Sequence, residues 1–168
     1  MMMVRTIGLI AGVIALGGCT TDTNVGPRAG APSKPQIRSV TYATTPCHGT
    51  CPVYTVTVAA DGAGVFTGTS HTATFGEHRF KATPAQVGDF FTRLQPYLPE
   101  GERLLTGPDG CRMYASDLPS ADVRWTDGSR SGHLLYDYGC DRDTHRAMAD
   151  ALRAAPQALP IAALIGNR

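Results

Sequence analysis

The sequence predicts an α+β fold, an antiparallel sheet of about five to six strands with two helices packed on one face. Three observations predict it: strand-like runs of alternating side chains, two Asp-Gly turn signals between such runs, and two stretches with apolar residues at helical spacing. Strand-rich blocks interrupted by single helices favour this class over alternating parallel βα units. The predicted order along the chain is ββββαββα.

Four predicted strands precede the first helix, each a run containing Val, Thr, Tyr or Phe. In the second run, Tyr54, Val56 and Val58 alternate toward one face, as in a half-buried strand. The Asp61-Gly62 pair is a hairpin turn signal between the second and third runs. The four predicted strands are 37–44, 52–60, 64–67 and 75–81.

The first helix has a clear start and stop. Thr83 is a candidate N-cap, Pro84 occupies the first turn, and Gln86 can complete a capping box. Pro99 ends the pattern. The apolar positions at helical spacing are Val87, Phe90, Phe91, Leu94 and Leu98.

A second hairpin and a second helix complete the predicted domain. Strands at 121–126 and 131–138 flank the Asp127-Gly128 turn signal. The helix is predicted from Asp143, a good N-cap, to Ala154, before Pro156. These elements leave 100–120 as a long irregular stretch.

The N-terminus predicts a lipoprotein. The apolar run from Thr6 to Leu16 follows Arg5 and is too short to span a bilayer, which needs about 20 residues. It ends in Leu16-Gly17-Gly18-Cys19, which is typical of a bacterial lipoprotein signal peptide, so Cys19 is the predicted lipidation site. The predicted organisation is a signal peptide (1–18), the lipidated Cys and a flexible tether (19–36), and a single α+β domain (37–168).

The predicted location is the cell envelope, lipid-anchored, at the outer membrane and facing the periplasm. Thr20 follows Cys19 where an inner-membrane retention signal usually has Asp. Lys plus Arg total 15 and Asp plus Glu total 14. Because the charge is balanced and no basic run is present, the sequence argues against nucleic acid as a partner. The expected partners are the membrane, through the lipid on Cys19, and an envelope protein.

The cysteine count supports two disulfides. With Cys19 assigned to lipid, four cysteines remain in an oxidising compartment, an even number that allows three pairings. Cys47 and Cys51 bracket a short loop that contains a Gly, and Cys140 directly follows the last predicted strand. We predict the pairs Cys47–Cys51 and Cys111–Cys140.

The segment Thr45-Pro46-Cys47-His48-Gly49-Thr50-Cys51-Pro52-Val53-Tyr54 resembles the signature of the bacterial family called domain of unknown function 6438. Asp117-Leu118-Pro119 and Tyr138-Gly139-Cys140 are similar to further parts of that family, and the resemblance spans about 38–155. The sequence departs from the pattern at His48, where an aromatic residue such as Phe often stands. The family has no assigned activity, so the resemblance implies a domain and a lipoprotein context only.

The stretch 100–120 is the candidate binding region, because a loop of about 20 residues inside a domain is either functional or contains unrecognised structure. The alternative is an irregular cover over a sheet edge, held by a disulfide. The residues that could present a polar, partly aromatic surface are Asp109, Arg112, Tyr114 and Asp117.

The leading functional hypothesis is a binding or scaffolding module, with no cofactor. The alternative is a thiol-redox or soft-metal-handling protein centred on Cys47, His48 and Cys51, although a closed metal site needs four ligands and this loop supplies only these three. Against it, the Cys-x-x-x-Cys loop enters a strand, whereas redox thiols usually lie at a helix N-terminus. No phosphate loop, dinucleotide fingerprint or His-Glu-x-x-His motif points to an enzyme.

Overall fold

A computed structural model describes residues 36–166 as a seven-stranded sheet with helices against one face. The predicted signal peptide, Cys19 and all of the tether except Gln36 lie outside these residues. The strands are β1 (Ser39–Thr44), β2 (Val53–Ala59), β3 (Ala63–Ser70), β4 (Gly76–Lys81), β5 (Gly101–Leu105), β6 (Ser120–Thr126) and β7 (Ser131–Asp137). The helices are α1 (Pro84–Leu94), α2 (Gly107–Gly110), α3 (Arg146–Ala154) and α4 (Ala162–Ile165), with 3-10 turns at Gln95–Tyr97 and Ala155–Ala158.

The prediction of an α+β sheet with helices is confirmed, but the predicted strand number and order are wrong. The sheet has the order β4-β3-β2-β1-β6-β7-β5 and is mixed, because β5 pairs with β7 in parallel. The missed strand β5 lies in the stretch predicted to be irregular. It begins Gly101-Glu102-Arg103 and most of it is exposed, so it has neither the alternation nor the apolar content that identifies a strand from sequence.

Strands β1 to β4 form a meander of neighbouring antiparallel pairs. The β2–β3 turn needs Gly62, whose φ is +88° and whose missing Cβ would collide with the backbone carbonyl of Ala82. The Asp61 carboxylate accepts a hydrogen bond from the Ala63 N–H at 2.8 Å and fixes the same turn. Local turn chemistry therefore fixes the connection between β2 and β3.

One face of the sheet is buried against the helices. The Tyr42 hydroxyl of β1 donates a hydrogen bond to the Leu152 carbonyl of α3 at 3.1 Å, and α3 also contacts α1. The opposite face is polar and partly exposed, as the alternating burial of β2 indicates. The sheet residues of the buried core are Val40, Tyr42, Tyr54, Val56, Val58, Phe66, Ala121, Val123, Trp125, Leu134 and Tyr136.

Helix α1 begins as predicted but ends at Leu94, where a 3-10 turn (Gln95–Tyr97) replaces the predicted last turn before Pro99. The Gln86 N–H donates to the Thr83 hydroxyl, and the Gln86 side chain accepts from the Thr83 N–H, so the capping box is complete. Val87, Phe90 and Leu94 are buried. Among the described residues, no helix is long and apolar enough to cross a membrane.

Helix α3 begins at Arg146 rather than at the predicted N-cap Asp143. Asp141 has a positive φ of +42°, which directs the chain into a turn before the helix. His145 is the N-cap and makes no side-chain capping bond. The Asp143 carboxylate instead forms an ion pair with Arg146, the first residue of α3, at 3.1 Å. Asp143 therefore contacts the first turn of the helix as an ion-pair partner and not as its N-cap.

Candidate functional site

The segment between α2 and β6, residues 111–119, lies along the end of β7. The Ala115 N–H donates to the Gly139 carbonyl at 3.1 Å, and the Asp141 N–H donates to the Met113 carbonyl at 2.9 Å. Tyr114 and Cys140 form an isolated antiparallel bridge. The segment is therefore ordered by backbone pairing, although it belongs to no strand.

Asp141 holds this segment with its side chain. Its carboxylate accepts hydrogen bonds from the Met113 N–H at 2.8 Å and from the Arg112 N–H at 3.1 Å. These two bonds, that of Met113 first, lower the pKa of Asp141 below its usual range, because they stabilise the charged form. No local sequence pattern indicates this role, since 28 or more residues separate the partners.

Cys111 and Cys140 fasten the start of the segment to the end of β7. Their Cα atoms are 5.3 Å apart and their sulfur atoms lie at disulfide-bonding distance, as do those of Cys47 and Cys51. Cys111 is 8% exposed and Cys140 is fully buried. The structure thus brings together the same pairs that the sequence predicts.

The segment forms one wall of a cleft of about 990 Å³, which we call the arginine cleft. The turn before α3 and the exposed side of α3 form the other wall. Four guanidinium groups converge on it, together with three aspartates and the rings of three tyrosines. Its charged lining residues are Arg112, Arg142, Arg146, Arg153, Asp141, Asp143 and Asp150.

The charges of the arginine cleft are unevenly paired. Asp143 pairs with Arg146 at 3.1 Å and Asp150 with Arg153 at 3.6 Å. The Asp141 carboxylate accepts hydrogen bonds from the Arg112 and Met113 backbone N–H groups. Within residues 36–166, the guanidinium groups of Arg112 and Arg142 form no ion pair. Two solvent-facing cations are therefore available to an anionic group.

The structure places two of the four predicted binding residues in the arginine cleft, Arg112 and Tyr114. The Tyr114 hydroxyl donates to the buried Asp137 carboxylate at 3.1 Å, and this hydrogen bond raises the pKa of Tyr114. Asp109 lies in α2, and Asp117 takes a positive φ of +73° where its carbonyl accepts from the His48 N–H. Neither aspartate lines the cleft.

A second cavity of about 590 Å³, which we call the tyrosine pocket, lies beside the arginine cleft. Tyr138 and Arg153 line both cavities and separate them. The rings of Tyr42 and Tyr54, which form another wall, stack with centroids 6.4 Å apart. The apolar residues that complete the lining are Pro52, Leu118, Pro119, Pro156, Ala162 and Ile165.

Tyr138 is the most unusual residue of this region. It is 5% exposed, and the Arg153 guanidinium lies 4.2 Å from its ring centroid, a cation–π contact. Burial raises the pKa of the Tyr138 phenol, and the neighbouring Tyr42 hydroxyl opposes that rise in part. Tyr42 donates its own proton to Leu152. The Tyr138 hydroxyl is enclosed beside the Tyr42 hydroxyl and makes no hydrogen bond of good geometry with the residues that the structure describes.

The Cys47–Cys51 loop borders a third cavity, of about 640 Å³. Its lining includes His48 and also His71, which comes from the turn after β3 and has a positive φ of +52°. No sequence pattern predicts that His71 lies there, since it is 20 residues beyond Cys51. In the described part of the chain, no group of three His, Cys, Asp or Glu side chains is arranged to hold a metal ion.

A family model described as "Domain of unknown function (DUF6438)" matches residues 38–159. The matched range contains the meander, both cysteine pairs, the 111–119 segment and helix α3. No curated protein matches the chain. No solved structure matches it either.

Proposed function

The chain belongs to the DUF6438 family, whose model matches more than half of it, and from this premise we propose a lipid-anchored binding module of the cell envelope. In this proposal Cys19 carries the lipid and the domain faces the periplasm from the outer membrane. The arginine cleft binds an acidic group of an envelope protein. The family description assigns no activity, so the proposal rests on the residues themselves.

The lipid anchor is supported by the sequence Leu16-Gly17-Gly18-Cys19 after a short apolar run. Acyl chains contribute about 0.8 kcal/mol per buried methylene, so more than one chain gives stable attachment. Radiolabelled palmitate should enter the wild-type protein and the Cys47→Ser control, and should be absent from Cys19→Ser. Labelling that persists in Cys19→Ser would exclude this anchor.

The binding role is carried by one observation: Arg112 and Arg142 line a cleft without ion-pair partners among residues 36–166. The wall that contains Arg112 is fixed by the Asp141 carboxylate and by the Cys111–Cys140 pair. A rigid wall reduces the entropy that binding must offset, and guanidinium groups form strong charge-assisted bonds with carboxylates. An acidic segment of a partner protein fits these properties.

Site-specific photocrosslinking in cell envelopes tests the binding role. A photoreactive residue at Met113, which lines the arginine cleft and is 71% exposed, should capture a partner. The matched control is Phe75, which is 66% exposed and lines none of the three cavities. Arg142→Gln should reduce the Met113 adduct. Equal capture from both positions, or an adduct unaffected by Arg142→Gln, would contradict the proposal.

A second candidate function is thiol-redox or soft-metal handling at Cys47, His48 and Cys51. The observation in its favour is that His71 lines the same cavity, so a reduced loop would have two thiols and two imidazoles nearby. This function requires free thiols at Cys47 and Cys51 in the native protein. It also predicts that copper or zinc co-purifies with the protein and is lost in His48→Ala and in His71→Ala.

A further inference from the structure

The tyrosine pocket has an apolar body and a polar end. Three prolines, Leu118, Ala162 and Ile165 supply the apolar walls, and the face of the Tyr42–Tyr54 stack continues them. Tyr138 and Arg153 lie at the boundary with the arginine cleft, and the buried Tyr138 hydroxyl lies behind it. Such a division, with apolar walls and a few convergent polar groups, is typical of small-molecule sites, whose volumes run from about 300 to 1,000 Å³.

The polar end is suited to an anion. Arg153 is held over the Tyr138 ring, and its pairing with Asp150 is long, at 3.6 Å. Its partly exposed guanidinium can therefore donate hydrogen bonds to a second, closer carboxylate. The Tyr138 hydroxyl is buried and meets no hydrogen-bond acceptor of good geometry within residues 36–166. An oxygen of the same carboxylate would satisfy it.

We propose that the tyrosine pocket binds a linear aliphatic carboxylic acid, with the carboxylate at Arg153 and Tyr138 and the alkyl chain against the proline walls. The apolar walls of the pocket match the alkyl chain of this molecule, and its polar end matches the carboxylate. A short inorganic anion would leave the apolar walls uncovered. A neutral alkyl chain would leave the Tyr138 hydroxyl without an acceptor and would give Arg153 no partner beyond Asp150. The site is separate from the protein-binding role of the arginine cleft and does not depend on it.

Isothermal titration calorimetry of the full-length protein with octanoate tests the site. Octanoate should bind with one-to-one stoichiometry. Octanol, which has the chain without the charge, and acetate, which has the charge without the chain, should each bind at least about tenfold more weakly, a loss equivalent to one charge-assisted hydrogen bond or a few buried methylenes. Octanol binding as tightly as octanoate would overturn the proposal, and so would the absence of octanoate binding.

Variants locate the site. Arg153→Gln should weaken octanoate binding about tenfold, and Tyr138→Phe, which keeps the ring under Arg153, about fivefold. Asp150→Asn releases Arg153 from its ion pair and should strengthen binding or leave it unchanged. The matched control is Arg146→Gln, because Arg146 lines the arginine cleft but not the tyrosine pocket.

The controls separate this proposal from the proposed protein-binding function. If Arg146→Gln weakens octanoate binding as much as Arg153→Gln does, the anion lies in the arginine cleft and the pocket assignment is wrong. Photocrosslinking at Met113 is a separate measurement. Octanoate binding can therefore be absent while partner capture is observed, and the reverse. Thermal melting of each variant confirms that it is folded before titration, and Tyr138→Phe serves where Arg153→Gln does not fold.

Discussion

The two cysteine pairs lie in contrasting surroundings. Cys47 and Cys51 are four positions apart and half-buried, and they close a loop whose tip, His48 to Thr50, is exposed. Cys111 and Cys140 are 29 positions apart and buried, and they join two parts of the chain that form the arginine cleft. The first pair stiffens a turn, and the second holds a binding wall against the sheet. The Cys47–Cys51 pair therefore stabilises local structure, whereas the Cys111–Cys140 pair stabilises tertiary structure.

The hydrogen bonds around the two pairs differ in the same way. The Cys47–Cys51 loop is tied to the rest of the domain by the His48 N–H, which donates to the Asp117 carbonyl at 3.0 Å. The 111–119 segment is tied by the Asp141 carboxylate and by backbone pairing with β7. Loss of the second pair should therefore disturb more of the structure than loss of the first.

The largest expected difference comes from removing each pair. Cys111→Ser with Cys140→Ser should lower the free energy of unfolding by about 3–4 kcal/mol, and Cys47→Ser with Cys51→Ser by about 2 kcal/mol, because loop-closure entropy grows with the length of the closed loop. Urea unfolding of the two double variants and the wild type measures both losses. Equal losses, or a larger one for the short loop, would contradict the contrast.

Alanine substitution of one glycine in each region should lower the stability of the protein by different amounts. A Cβ at Gly139 would collide with the Ala115 carbonyl, so Gly139→Ala must push the 111–119 segment away and should cost about 2 kcal/mol. At Gly49 the φ of +138° is unfavourable for alanine, but an added Cβ would collide with nothing, since its nearest neighbour would be Cys47 Sγ at 3.9 Å. Gly49→Ala should therefore cost less. Thermal unfolding compares them, and a greater loss at Gly49 would show that the segment is not packed as described.

A smaller effect is expected from Asp141→Asn. The amide oxygen is a weaker acceptor than a carboxylate, so the Arg112 and Met113 N–H groups should exchange with solvent faster. The His48 N–H, which is bonded to Asp117, should keep its protection. Hydrogen exchange followed by NMR measures the exchange rates of the Arg112, Met113 and His48 amides in one sample. Unchanged exchange at Met113 would mean that Asp141 does not hold the segment.

The smallest effect is the pH dependence of the same contact. The pKa of Asp141 is lowered in the folded state, so its contribution to stability is fully present above the unfolded value of about 3.9 and is lost as the pH falls through the folded pKa. The stability difference between wild type and Asp141→Asn should be constant near neutral pH and shrink below about pH 4. Urea unfolding at several pH values measures it. A difference that grows on acidification has the wrong sign for this account.

The parts of the fold that the sequence predicted correctly have local causes. The Asp61-Gly62 turn and the Thr83–Gln86 capping box depend on residues within four positions of one another, so their patterns are visible in the sequence. Strand β5 depends on parallel pairing with β7, about 30 residues away, and exposes Leu104 at 46%. Nothing in its own residues specifies that pairing. The predicted sheet was too small for this reason.

The candidate site was predicted in part for a similar reason. Cys111 pointed to the 100–120 stretch, and Arg112 and Tyr114 are in the arginine cleft. The opposite wall, with Arg142 and Arg153, depends on where the turn before α3 places the chain. Cys140 was the available signal, because a cysteine that pairs with Cys111 brings its neighbours to the same place. Tyr138 and Asp141 are within two residues of Cys140, so the same pairing places them at the site.

The most direct test of the contrast is differential alkylation of cysteines in the native protein, isolated from cells without reducing agent and mapped by mass spectrometry. We expect Cys47, Cys51, Cys111 and Cys140 all to be protected and to become alkylated only after reduction. Alkylation of Cys47 and Cys51 in the unreduced protein, with Cys111 and Cys140 still protected, would contradict it. Such a result would favour the second candidate function, at the Cys47–Cys51 loop with His48 and His71.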